Sequence, residues 1–182
     1  MRIIGGDNRG RKLAQIEGWD IRPTSDRVRE ALFNILGPAV RGCRVLDLFA
    51  GTGAFGLEAL SRGAEHTVFV ESASASCAAI TENIQRCRRE SQSLLVREDA
   101  TTLPRAVRRA APFDIIFMDP PYHKDLAQTV LDREGFAELL APDGVIIAEQ
   151  AAKEPPLKAP AGLDIYRDKK YSKTRVTFFN AV

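Results

Sequence analysis

The chain has 182 residues, 45% apolar and 27% charged, which fits one globular domain with a sizeable core. Its formal net charge of +2 says little about partners, and no apolar stretch approaches the ~18 residues of a membrane span. The three cysteines (Cys43, Cys77, Cys87) are odd in number and form no C-x-x-C, so neither a disulfide framework nor a metal site is expected; the N-terminus has no apolar h-region, and a reducing cytoplasm is the expected location.

Residues 1–22 read as a small extended arm, in which Gly5-Gly6-Asp7-Asn8-Arg9-Gly10 supplies the turn of a hairpin. Thr24 or Ser25 can cap a helix over roughly 25–36, where Val28, Ala31, Leu32, Ile35 and Leu36 form one apolar stripe that ends at Gly37-Pro38. Strand-like runs follow near 44–49, 67–71, 94–98, 114–119 and 144–149, with helical stretches near 54–62, 73–89, 101–110 and 124–140. Such alternation predicts an α/β fold, a mostly parallel sheet with helices on both faces. After the Pro-rich link at 155–160, runs near 163–169 and 174–180 complete seven strands and are expected to pair antiparallel as a C-terminal hairpin. The predicted division is an N-terminal arm at 1–22 and a single catalytic domain at 23–182.

Two motifs carry chemistry. At residues 45–56, Val-Leu-Asp-Leu-Phe-Ala-Gly-Thr-Gly-Ala-Phe-Gly takes a strand into a glycine turn that opens a helix, and Gly51 to Gly56 matches G-x-G-x-x-G. Glu71 lies twenty residues after Gly51, where an acid can hold ribose hydroxyls or cap the helix beginning near Ser72. Alone, this pattern suits a nicotinamide enzyme and a methyltransferase equally. Asp47, placed before the glycines, can meet a cationic amino-acid moiety or form the turn; Asp99 can contact an adenine amine or sit in a solvent-facing loop. Asp47, Glu71 and Asp99 end successive strands, which suits S-adenosylmethionine with its amino acid, ribose and adenine. The candidate cofactor set is Asp47, Phe49, Gly51, Thr52, Gly53, Glu71, Asp99 and Ala100, with no metal.

The second motif, Asp119-Pro120-Pro121-Tyr122, ends the apolar run 114–118. Asp119 and the Pro120 carbonyl can accept hydrogen bonds from a planar amine, the prolines stiffen the turn, and Tyr122 offers a stacking face. Hydride transfer has no use for this group. Binding at the carboxyl ends of the strands places both motifs in one crevice. Basic residues crowd the chain ends: seven against four acids in residues 1–29, and five (Arg167, Lys169, Lys170, Lys173, Arg175) against Asp168 in 167–175. These suit a phosphate-binding surface or plain solvated faces. Arg9, Arg11, Lys12, Arg22, Arg27 and Arg29 are the candidate contacts to a phosphate backbone, although Arg27 can instead pair with Glu30. His66 reads as a surface residue, and so does His123, with an accessory substrate contact kept open beside Tyr122.

With these motifs, the stretches Arg2 to Gly6, Arg9 to Leu13, Arg22-Pro23-Thr24 and Asp26 to Leu36 occur in an order that resembles the bacterial 16S ribosomal RNA guanine-N2 methyltransferases of the RsmD type, over nearly the whole chain. Thr52 stands where that family often has serine, and Ser172 follows Tyr171 where glycine is common. The resemblance implies a Rossmann-like class I methyltransferase, S-adenosylmethionine as donor, and a guanine of 16S ribosomal RNA as acceptor, on the small subunit or its assembly intermediate; a monomer with no membrane partner is expected. The alternatives are a DNA adenine-N6 or cytosine-N4 methyltransferase, which 182 residues leave without a target-recognition domain, and a non-catalytic RNA-binding assembly factor.

Overall fold

A computed structural model describes residues 1–16 and 26–182. Arg22, Thr24 and Ser25 lie outside the described residues. The elements run α1 (Asp26–Leu36), β1 (Arg44–Leu48), α2 (Ala54–Ser61), β2 (His66–Val70), α3 (Ser74–Cys87), β3 (Ser93–Val96), α4 (Arg105–Ala110), β4 (Phe113–Met118), α5 (Leu126–Leu131), β5 (Leu140–Ala151), β6 (Leu163–Tyr171) and β7 (Thr174–Ala181). The seven strands form one sheet in the order β3-β2-β1-β4-β5-β7-β6. Strands β1 to β5 pair in parallel, and β7 runs antiparallel to both β5 and β6.

Two predicted helices are shorter than their periodicity suggests. The stretch 101–110 divides at Pro104, which has no N–H to donate and disfavours helical backbone at Leu103; the chain makes one 3₁₀ turn over Ala100–Thr102 and resumes as α4. The stretch 124–140 holds only α5, a turn through Gly135 at φ +79°, and a 3₁₀ turn over Ala137–Leu139. β5 gains residues on both sides and begins directly after that turn.

Period-two alternation splits the core across the sheet. Val45, Phe69, Ile115, Phe117, Ile147, Val176 and Phe178 face a cluster shared with α1, α2 and α3. Leu46, Leu48, Val68, Val70, Ile116, Met118, Ile146 and Phe179 face the opposite cluster with α4 and α5. On the first face three rings form a column: Phe33 of α1 lies 4.8 Å from Phe55, and Phe55 stacks on Phe117 at 3.9 Å and 6°. Gly56 lets α2 approach β2, since a Cβ there would come within 2.4 Å of Phe69.

The N-terminal hairpin forms as expected, closed by an Arg2–Lys12 bridge, with Ile3 N–H donating to the Arg11 carbonyl and Gly10 N–H to the Ile3 carbonyl. It is also built into the core: Ile3 is 0% and Leu13 5% exposed. Glu58 of α2, fully buried, accepts from Ile4 N at 2.7 Å and Gly5 N at 2.8 Å and pairs with Arg62 and Arg29. Asn83 of α3 accepts from Ala14 N at 2.6 Å and donates to the Thr52 carbonyl at 2.9 Å, joining arm and glycine loop. Removing one partner of a buried charged network leaves the others uncompensated. Glu58→Ala is therefore expected to cost about 3–5 kcal/mol of stability and to increase protease cutting within residues 1–16; chemical denaturation with a stability loss under ~1 kcal/mol would show the arm to be held by its apolar contacts alone.

Candidate active site

The strand order reverses at β1, whose neighbours are β2 on one side and β4 on the other. Leu48 pairs with Val70 and with Met118, and Val70 pairs with Val96, so four strands end level at one edge. One residue past these pairs lie Phe49, Glu71 and Asp119. Phe49 has φ +57°, an uncommon conformation for an aromatic residue and of the kind that clusters at ligand sites. Gly51 and Gly53 follow at φ +58° and +74°. A Cβ on Gly51 would meet nothing nearer than the Phe49 carbonyl at 4.0 Å, so this loop presents backbone to open space.

Glu71 satisfies three backbone amides: its Oε2 accepts from Gly51 N at 2.9 Å, and its Oε1 from Ser72 N and Ala73 N at 2.8 and 2.9 Å. The carboxylate thus ties the turn between β2 and α3 to the glycine loop, through donors that precede the first helical residue, Ser74. Asp99 caps the 3₁₀ turn, accepting from Thr101 N at 2.9 Å, and remains exposed beside buried Ala100. Thr52 turns inward at 5% exposure, its hydroxyl 3.6 Å from the Met1 sulfur.

Asp47, read as either a partner for a cationic group or a turn former, is enclosed by the fold. It shares the α2 face of the sheet with Val45, is 1% exposed, and accepts from Gly56 N at 3.0 Å. Burial raises its pKa well above the ordinary carboxylate value, the Gly56 N–H opposes that rise, and the nearby Asp119 and Glu71 charges add to it. Glu71 and Asp119 therefore place two carboxylates where β2 and β4 end, near buried Asp47, an arrangement that favours a cation in the crevice.

Asp119 is half-buried, Pro120 buried and Pro121 exposed. Tyr122 is fixed from two other strands: its hydroxyl donates to Glu149 of β5 at 3.1 Å and lies 3.3 Å from Thr174 Oγ1 of β7. Burial first, then the Glu149 and Asp119 charges, raise the phenol pKa, so the ring stays neutral. Glu149 and Thr174, which hold the Tyr122 hydroxyl, are residues that the sequence analysis does not single out. Beside this motif a cavity of about 550 Å³ is lined by Pro120, Pro121 and Tyr122 together with α5 and residues 154–159. His123 is exposed, with its N–H bonded to Glu154 at 2.5 Å.

The expected RNA contacts separate into two kinds. Arg9, Arg11, Lys12 and Arg27 are exposed, and Arg9 and Arg27 line a second cavity of about 380 Å³ with Arg2, Asp26 and Glu30. The Arg11 guanidinium donates to the Arg86 carbonyl. Arg29 is 1% exposed, donates to the Arg2 carbonyl at 2.5 Å and pairs with Asp26 and Glu58. It holds the arm to α1 from inside and is unavailable to a phosphate.

Because the Asp47 pKa is raised in the folded chain, the folded state binds the proton more tightly than the unfolded one. Its contribution is most favourable below the unfolded carboxylate pKa of about 4 and is lost as pH rises toward the folded value. Asp47→Asn is therefore expected to raise the Tm at pH 8, with the gain shrinking toward pH 4. A lower Tm at pH 8 would mean that the charged bond to Gly56 outweighs burial.

The family described as "Conserved hypothetical protein 95" matches residues 1–180. "Putative rRNA methyltransferase YlbH" of Bacillus subtilis is 36% identical over 180 residues, covering 98% of each chain. "Ribosomal RNA small subunit methyltransferase D" of Escherichia coli is 34% identical over 169 residues, 93% of this chain and 84% of that one. Among solved structures, "Putative methyltransferase yhhF" from Escherichia coli superposes with a TM-score of 0.84 at 32% identity, covering 100% of this chain and 97% of that one. With the glycine loop and Asp-Pro-Pro-Tyr level at the reversal of a sheet of this order, the chain has the Rossmann-like methyltransferase fold and belongs to the family of ribosomal RNA small subunit methyltransferase D.

Proposed function

We propose that this protein methylates the exocyclic N2 amine of a guanine in 16S ribosomal RNA, on the small subunit or an assembly intermediate, using S-adenosylmethionine. The observation that carries the chemistry is the Asp-Pro-Pro-Tyr turn at the end of β4, level with the glycine loop of β1 and with Tyr122 tied to Glu149 and Thr174. The RNA substrate rests on family membership.

The crevice suits the donor: an open glycine cradle and converging carboxylates match a nucleoside carrying two positive centres. Gly51 and Gly53 would approach it through backbone, Glu71 would face the ribose, and Asp99 and Ala100 the adenine, beside Phe49. Asp47 acts one step back, by holding the first turn of α2. When bound, the donor supplies an electrophilic methyl group on a sulfonium.

The guanine amine is a poor nucleophile because its lone pair is delocalised into the ring. Asp119 and the Pro120 carbonyl would accept its two N–H bonds, drawing the nitrogen toward sp³ geometry and freeing the lone pair. The Asp119 charge also offsets the positive charge that develops on nitrogen. As the nitrogen–methyl bond forms, the carbon–sulfur bond of the donor breaks, leaving a neutral thioether, and the surplus N2 proton passes to the Asp119 carboxylate or to water. Tyr122 would stack on the base, a contact worth about 1–3 kcal/mol in single-strand binders. The gain comes from positioning and preorganised electrostatics.

Labelled donor with unmethylated small subunits, free 16S RNA and unmethylated DNA in parallel gives the direct test, with mass spectrometry of the nucleosides. N2-methylguanosine is expected; methylated adenine or cytosine in DNA would favour the alternative amine substrate, and donor binding without transfer would indicate an assembly factor. Asp119→Asn is expected to lower kcat by tenfold or more, a loss of at least ~1.4 kcal/mol, with cofactor affinity within about twofold of wild type by calorimetry. Activity within about threefold of wild type would remove Asp119 from this role.

A further inference from the structure

We propose that the β6–β7 hairpin is a second RNA-docking element, one that grips the substrate strand beside the reacting base and is bonded directly to the catalytic turn. The inference rests on an RNA substrate, and adds to it a surface and a coupling.

The hairpin's cations are arranged asymmetrically. β6 is the outermost strand of the sheet, and residues 164–170 along it are exposed. Of the five basic side chains between 167 and 175, Arg175 is held by the Asp168 carboxylate, and Arg167 lies over the Phe178 ring at 5.8 Å. Asp168 is thereby occupied, with Lys170 close enough to help lower its pKa. Lys169 and Lys173 are exposed and make no side-chain hydrogen bond or ion pair among the described residues. The result is a local excess of positive charge in a chain whose net charge is only +2. Lysine on an edge strand also discourages strand-to-strand aggregation. That need ends with the strand, whereas the charge continues into the turn at Lys173.

The strand also offers a stacking group. The β6–β7 register shifts between Ile165 and Arg167, and such bulges re-aim a side chain. Tyr166, at the shift, is 53% exposed with its ring 6.0 Å from Phe178. Exposed aromatic rings interleaved with cations suit single-stranded RNA, where bases stack and phosphates are neutralised.

The turn of the hairpin is attached to the active site. The Lys173 carbonyl accepts from Ala152 N at 2.8 Å, and Thr174 Oγ1 lies 3.3 Å from the Tyr122 hydroxyl. A phosphate held by Lys173 would therefore sit one residue from the group that fixes Tyr122. RNA seated here would be delivered to the catalytic turn and would also brace it.

The test is the triple variant Lys169→Ala, Lys170→Ala, Lys173→Ala, compared with its all-arginine counterpart. Readouts are kcat, KM for unmethylated small subunits, donor affinity, and binding of a 16S RNA fragment across a salt series. The alanine variant is expected to raise KM about tenfold or more and to flatten the log–log salt slope by about 0.7 per lost phosphate contact on a single strand. Donor affinity should stay within about twofold of wild type, any fall in kcat should accompany the rise in KM, and arginine should restore both. Wild-type KM and salt slope in the alanine variant would overturn the inference, as would a fall in kcat alone that arginine fails to rescue. Failure of the wild-type protein to methylate any RNA would instead overturn the functional reading, while the fragment-binding series still reports on the hairpin.

Discussion

The site depends on the register between β1 and β4. Because Leu48 pairs with Met118, the glycine loop after β1 and the Asp-Pro-Pro-Tyr turn after β4 emerge side by side. Slipping that register by one residue would turn Met118 and Ile116 out of their core and rotate Asp119 away from the crevice. Phe117 and Phe55 hold it in place. Their rings stack at 3.9 Å, one two residues before Asp119 and the other two residues after Gly53. The same contact packs the core and sets the spacing between the two motifs.

Buried polar groups carry the next level of organisation. Glu58 and Asn83 are both 0% exposed, and each bonds backbone groups more than fifty residues away. Such bonds add little net stability when made but are costly to leave unmade, so they select one placement of the N-terminal hairpin over others. That placement puts Met1 against Thr52, inside the glycine loop, and joins Ala14 to Thr52 through Asn83. The N-terminal arm is thus an outer wall of the cofactor half rather than an appendage on a linker.

Much of this was legible in the sequence because it is local. Strand-like runs marked all seven strands, glycines marked the loop, and the Pro-Pro pair marked the end of β4. Pro104 lay in plain view within a helical pattern, and the break there follows from its missing N–H alone. The face occupied by Asp47 was also readable: it alternates with Leu46 and Leu48 and so belongs with Val45, under α2. Other features depend on contacts that no local pattern encodes. Arg29 has the composition of a surface arginine, and its burial follows from Glu58 and the Arg2 carbonyl meeting it from other elements. Glu149 and Thr174 gain their role only when β5 and β7 pair antiparallel and bring them under Tyr122.

These long-range contacts divide labour between the chain ends. Residues 1–16 bond to α2, α3 and the loop after β1, the elements proposed to hold the donor. Residues 171–175 bond to the turn after β4 and the end of β5, the elements proposed to hold the base. Each basic terminal segment is therefore fixed to a different half of the crevice. An RNA strand spanning both would bridge the β1–β4 seam, where the proposed acceptor amine and methyl donor meet. A single basic patch on one half could raise affinity, but it would bind the RNA equally well whether or not the halves were aligned. Anchoring to both halves links substrate binding to the alignment that transfer needs, because only interactions strengthened in the reacting geometry speed the chemical step.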